Sequence, residues 1–222
     1  MKNTSTLFRL PGILQAAAIL LLSAALFGDS FLTSTEFYRA YLDIAVVEKA
    51  GKTQNLDMET LAYLDDRNVP FDAKLAVVNA LGWEFGKSTG NPQQYEKFLR
   101  AKYDLMPRTD LTVYRDRLSA EELSLYVYLT ALDNYLDNET LIGLAPLIRT
   151  SVDKAPDSYG VNLVHLLVSA QLMQHSRGGW ATNAPGLLQE LEARKDLTEP
   201  LRPEAKRIIA DYINLYLPRS ER

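Results

Sequence analysis

The chain has no cysteine. That absence excludes disulfides, zinc–thiolate sites, a thiol nucleophile and a bacterial lipoprotein anchor together. Histidine occurs only at His165 and His175, ten positions apart. On one helix they point in different directions and cannot share a metal ion. Clustered positive charge is also missing: 24 Lys and Arg stand against 28 Asp and Glu, a formal charge of −4. Phosphate binding needs basic patches, so nucleic acid is excluded as the main partner. Strand-like alternation is scarce after Ser34.

What is present describes a folded, exported chain. Its 222 residues are 47% hydrophobic and 23% charged, the balance of a globular domain with one ordinary core. Lys2 and Arg9 precede an apolar stretch from Leu10 to Phe27, broken only by Pro11, Gly12, Gln15 and Ser23, and Asp29 closes it. Positive charge before the stretch and none clustered just after it place the N-terminus in the cytoplasm and the rest across the membrane. Residues 1–30 therefore read as a signal peptide or a transmembrane signal anchor. Ser23-Ala24-Ala25 and Gly28-Asp29-Ser30 are the two small-residue cleavage candidates. If retained, the 18 residues Leu10 to Phe27 make about 27 Å of helix, against a hydrocarbon layer of about 30 Å. The expected location is the periplasm, soluble after cleavage or held at the inner membrane. An exported chain without disulfides fits a bacterial envelope.

Residues 31–222 read as a single all-α domain of about nine helices. Phe37, Tyr41 and Ile44 predict a helix ending near Gly51. Asp57 caps one running to about Arg67, and Leu75, Val78, Leu81 and Phe85 form the stripe of the next. Asn91-Pro92 opens a helix to about Leu105. After a loop over 106–118, Ser119 and Glu122 make a capping box, followed by Leu125, Leu129, Leu132 and Leu136 at helical spacing. Further helices are expected at 138–154, 158–175, 184–195 and 203–217, the last with Ile208, Tyr212 and Leu215 on one face.

One motif recurs. Leu56-Asp57-Met58-Glu59-Thr60-Leu61 returns as Leu136-Asp137-Asn138-Glu139-Thr140-Leu141, five of six residues identical at an offset of 80. Pro70 parallels Pro156, and Asn91-Pro92 parallels Asn183-Ala184-Pro185. Two degenerate units of about 80–90 residues, 34–105 and 119–195 with a closing helix at 203–217, imply a right-handed α-helical array or solenoid. Chance recurrence of good helix-start chemistry is the alternative. The tetratricopeptide repeat is the comparable stacked-helix plan. Its pattern of about 34 residues does not occur here in order.

No catalytic, cofactor or metal residues are assigned. Gly82 to Ser88 imitates a phosphate loop, but only three residues separate Gly82 from Gly86, and no strand precedes it. His165 shares a face with Val161, Val168 and Leu172 and reads as a core histidine. Asp65-Asp66, Glu121-Glu122 and Glu190 with Glu192 read as solvated faces. Twelve tyrosines include Tyr38, Tyr41, Tyr126, Tyr128, Tyr135, Tyr212 and Tyr216, expected half-buried between helices. Arg177 and Trp180, around the flexible Gly178-Gly179, are the candidate partner contacts.

The functional expectation is a non-enzymatic extracytoplasmic scaffold or adaptor that binds another envelope protein, within a membrane-associated complex if Leu10 to Phe27 stays in the bilayer. A small-ligand or lipid-binding domain is the alternative, and a hydrolase or lyase on a helical scaffold a further one.

Overall fold

The computed structural model describes residues 30–84, 87–106, 110–175 and 180–217, with His175 and residues 180–183 described by backbone alone. Residues 1–29 lie outside it, and so does the expected signal or anchor segment. Among the described residues no helix is long and apolar enough to cross a membrane.

The described chain is all-α. Ten helices follow one another: α1 (Ala45–Thr53), α2 (Met58–Asp65), α3 (Phe71–Leu81), α4 (Asn91–Tyr103), α5 (Ala120–Asp133), α6 (Asn138–Gly143), α7 (Ala145–Lys154), α8 (Tyr159–His175), α9 (Trp180–Ala193) and α10 (Pro203–Ile213). Short 3₁₀ turns stand at Phe37–Tyr41, Leu111–Arg117 and Asn214–Tyr216.

Three helices make the centre. In α3 every residue but Asp72 is buried, and α5 and α8 are buried on most of their circumference. A helix that is apolar all round is stable only when surrounded. α3, α5 and α8 pack on one another, with α1 and α2 against α3, α4 and α7 against α5, and α6, α7 and α9 against α8. The expected one-sided stripe on α3 is thus a full barrel of contacts. Its end comes at Leu81, short of Phe85, because Gly82 takes φ +65° and turns the chain away.

Other boundaries differ from the sequence pattern for local reasons. The expected helix to Gly51 is a 3₁₀ turn plus α1, and Gly51 lies inside α1. Gln54, left-handed at φ 51°, is the actual cap. Asn91 does not cap its own helix. Its side chain accepts from Leu56 N (2.9 Å) and donates to Gln54 O (3.1 Å), pinning the α1–α2 corner. The segment 138–154 is two helices because Pro146, in the first turn of α7, has no N–H to continue α6. The loop over 106–118 holds a 3₁₀ turn, and Leu136 lies past the end of α5, exposed. α9 starts at Trp180, ahead of the expected 184, and carries Pro185 early in the helix. In α10 the buried stripe is Ala205, Ile209 and Ile213 rather than Ile208, Tyr212 and Leu215.

Both copies of the repeated motif cap alike. Asp57 accepts from Thr60 N and Thr60 Oγ1, each at 2.9 Å. Asp137 accepts from Glu139 N (3.0 Å), Thr140 N (3.4 Å) and Thr140 Oγ1 (2.6 Å). Beyond the caps the two halves pack differently: α4 lies on α5, whereas α9 lies on α8.

The two ends of the described chain meet. The Phe31 ring lies 5.9 Å from Tyr212 and 4.8 Å from Tyr216. Tyr41 donates to Asp72 (2.9 Å) and accepts from the Arg202 amide (3.0 Å), while the Arg202 guanidinium lies 4.4 Å from the Tyr41 ring centre. Burial, helped by the bond to Asp72 and opposed by the Arg202 amide, holds the Tyr41 phenol well above its ordinary pKa.

Gly160 sets the approach of α8 to α3. A Cβ there would lie 2.6 Å from a Phe71 ring carbon and 2.8 Å from Leu75 Cδ1. Gly160→Ala is therefore expected to cost about 1–3 kcal/mol, the range for forced overpacking. Urea unfolding should show a lower midpoint at an unchanged slope.

Candidate functional site

A trough opens between α2 and α4 on the side away from the centre. Two faces of α4 explain it. Tyr95 and Leu99, four residues apart, enter the core, while Gln94, Lys97, Phe98 and Ala101 follow one another at helical spacing on the other side. With Met58 and Leu61 of α2 they line a recess of about 340 Å³. Met58 is 77% exposed, and the half-buried Phe98 ring rests 6.1 Å from Tyr95. Phe98 also packs against the core through Tyr95, whereas Met58 is largely open to solvent.

The far half of the trough is charged. Leu64, Asp65 and Arg67 meet Lys102 and Tyr103 of α4, Lys74 of α3 and Ser119 to Glu122 at the start of α5, around a cleft of about 440 Å³. Lys74 is only 3% exposed, and its ammonium reaches Glu121 Oε2 at 2.8 Å. Lys102 Nζ bridges Asp65 (2.5 Å) and Glu122 (2.7 Å), tying α2, α4 and α5. Glu122 also accepts from Tyr103 Oη (2.8 and 2.9 Å) and from the Ser119 amide (2.7 Å), completing the capping box.

Each titration follows from these contacts. Burial pushes Glu122 up, but Lys102, the Ser119 amide and Tyr103 together hold it below the usual carboxylate value. Burial alone would lower Lys102, and the hydrogen bonds it donates to Asp65 and Glu122 override it and raise the ammonium. Tyr103 rises through burial and its bond to Glu122. None of the three is placed to exchange a proton near neutrality, so the cluster works as a lock between helices. Lys97 at one end of the trough and Arg67 at the other make no ion pair with the described residues.

Sequence pattern treated Asp65, Glu121 and Glu122 as solvated faces. The structure gathers them on one cleft because α5 begins where α2 and α4 end. His165 is corrected too: it is exposed on α8, between crevices of about 290 and 200 Å³ that separate α8 from α7 and α9. Their walls desolvate the ring and hold its pKa below the ordinary value. Near Glu190, Arg194 donates to Asp196 (2.6 Å) and Asn162 (2.9 Å). Arg177 lies outside the described residues, and of Trp180 only its place at the start of α9 is described. Among the described residues no three His, Asp or Glu converge as a metal ion requires. The trough was the missed feature. Its signal was Phe98, an aromatic off the Tyr95–Leu99 stripe.

No family model, curated protein or solved structure matches this chain.

Lys102→Met should cost about 2 kcal/mol at neutral pH by leaving the buried Glu122 without its cation. A depressed carboxylate stabilises above its unfolded pKa of about 4.3, and that contribution is lost as pH falls through its folded value. The wild type should therefore lose more stability between pH 7 and pH 3 than the variant, measured by urea unfolding at both.

Proposed function

We propose that this chain is a non-enzymatic, extracytoplasmic helical adaptor that takes an amphipathic helix of another envelope protein into the α2–α4 trough. The observation that carries the proposal is the second, uncovered face of α4, with Phe98 and Ala101 opposite Met58 and Leu61. Helix-in-groove recognition uses such a strip, with anchors repeating every three or four residues. The unpaired Lys97 and Arg67 at the two ends favour a partner helix with acidic residues flanking its apolar anchors.

Export is part of the same proposal. It rests on the apolar stretch from Leu10 to Phe27 behind Lys2 and Arg9. The contacts of Ser30 bear on where a signal peptidase would cut. Its Oγ donates to Gln171 (2.6 Å) and accepts from Leu32 N (3.1 Å). Cleavage after Ala25 leaves those bonds intact, whereas cleavage after Ser30 removes them. A processed form is therefore expected to begin at Leu26, and intact-mass measurement of the product in fractionated cells reads this directly. The two helical units over 34–105 and 119–195 also belong here. The matching Asp57 and Asp137 caps support them, and α10 returns to Tyr41 to close the array rather than leave it open.

Photo-crosslinkers at Met58 and Phe98 should both capture the same envelope protein in cells, while one at the exposed Ile142 of α6 should not. Met58→Glu with Lys97→Glu should cut that capture at least tenfold without changing the urea midpoint. Equal capture from Ile142, or no effect of the charge reversals, overturns the trough as the docking surface.

A further inference from the structure

The chain leaves almost no slack between its apolar N-terminal stretch and its core. The stretch ends at Phe27, and Ser30 is fully buried, with Phe31 and Leu32 behind it. Three residue steps reach at most about 11 Å. Ser30 is fixed as well as buried. Its hydroxyl is held by Gln171, and the Gln171 amide donates in turn to Tyr135 O (3.0 Å). Thr35 Oγ1 closes the first turn onto Phe31 O (2.8 Å).

Two large apolar side chains are exposed at this entry point. Leu136, 51% exposed, follows Tyr135, whose carbonyl carries the Gln171 bond. Leu215, 58% exposed, precedes Tyr216, whose ring packs at 4.8 Å on Phe31. They come from distant parts of the sequence, after α5 and after α10. Both are brought to the same end as Ser30.

We infer that the domain is seated directly on the bilayer that holds Leu10 to Phe27, with Leu136 and Leu215 entering its interface. The inference rests on the anchored form of the exported-adaptor reading. A tether of at most about 11 Å passes the headgroup layer, roughly 5–8 Å thick on each side, by only a few ångströms, so it holds a folded domain against the bilayer surface. The apolar pair is what a surface held at that distance would need. Asp137 and Glu139 lie beside Leu136, so the contact is apolar insertion among zwitterionic headgroups and gains nothing from anionic lipid. The charged cleft is carried to the opposite side. It lies at the start of α5, and the 14 residues of that helix put it about 21 Å from the Tyr135 end. The trough then faces away from the membrane, open to a partner in the aqueous space.

The absence of native cysteine makes the test direct. Full-length protein carrying Leu136→Cys, Leu215→Cys or, as the distal control, Arg67→Cys would be labelled with an environment-sensitive fluorophore and reconstituted into phosphatidylcholine vesicles. All three positions are exposed, so labelling does not disturb the core. Spin-labelled lipid should quench the probes at 136 and 215 at least twofold more than the probe at 67, unchanged at high salt. Equal quenching at all three positions, in protein that floats with the vesicles, overturns the seating and leaves the anchor in place. Protein that does not float with the vesicles overturns the anchored reading, and the seating with it.

Discussion

The Asn79 side chain holds the structure to one arrangement. It sits buried on α3, and its oxygen accepts from Tyr38 N at 2.9 Å. Its amide donates to Thr35 O (3.0 Å) and to the Tyr128 hydroxyl on α5 (2.8 Å). One side chain thus joins the two central helices to the segment that precedes them all. A buried amide is tolerated only when its hydrogen bonds are met, and here three are. Because Thr35 and Tyr38 are fixed, Phe31, Leu32, Phe37 and Tyr41 enter the core in a set order. α10 then packs on the 3₁₀ turn that carries Phe37 and Tyr41.

The trough follows from that centre. α3, α5 and α8 use most of their circumference, so the remaining helices need only one apolar face each. α4 is the exception: Tyr95 and Leu99 enter the core, and Phe98, packed on Tyr95, keeps part of its ring on the trough. The ion pairs of Lys74 and Lys102 keep α2, α4 and α5 from collapsing into the space between them. Breaking a partly buried ion pair strands a charge, so these pairs fix geometry more than they add stability. A recess held open by such pins is preformed, which lowers the ordering cost of docking a helix.

Much of the fold was legible because helix starts are local. Asp57, Asp137 and the Ser119–Glu122 box lie at the predicted positions with the predicted bonds. The buried triad was less legible. An all-apolar helix such as α3 has no stripe to orient it, and periodicity cannot say which helices surround it. The division of 138–154 was written in Pro146, outweighed there by the apolar pattern on either side. His165 misled because Val161, Val168 and Leu172 suggested a core face, whereas two crevices bring solvent to the ring. The cleft acids were hidden for a deeper reason. Asp65 and Glu122 are neighbours only through Lys102, and no spacing in a sequence records a meeting of three helices.

The packing of Phe31 on Tyr212 and Tyr216 has a consequence for time rather than shape. Phe31, among the first residues of the domain to leave the ribosome, meets its aromatic partners only when the last described helix and turn arrive. Pairs separated by nearly the whole chain are slow to form, because a large loop must close before any contact rewards it. Until then Phe31 lacks both of its aromatic partners. The chain's most distant aromatic contact acts as a clock, set by the arrival of its last described turn.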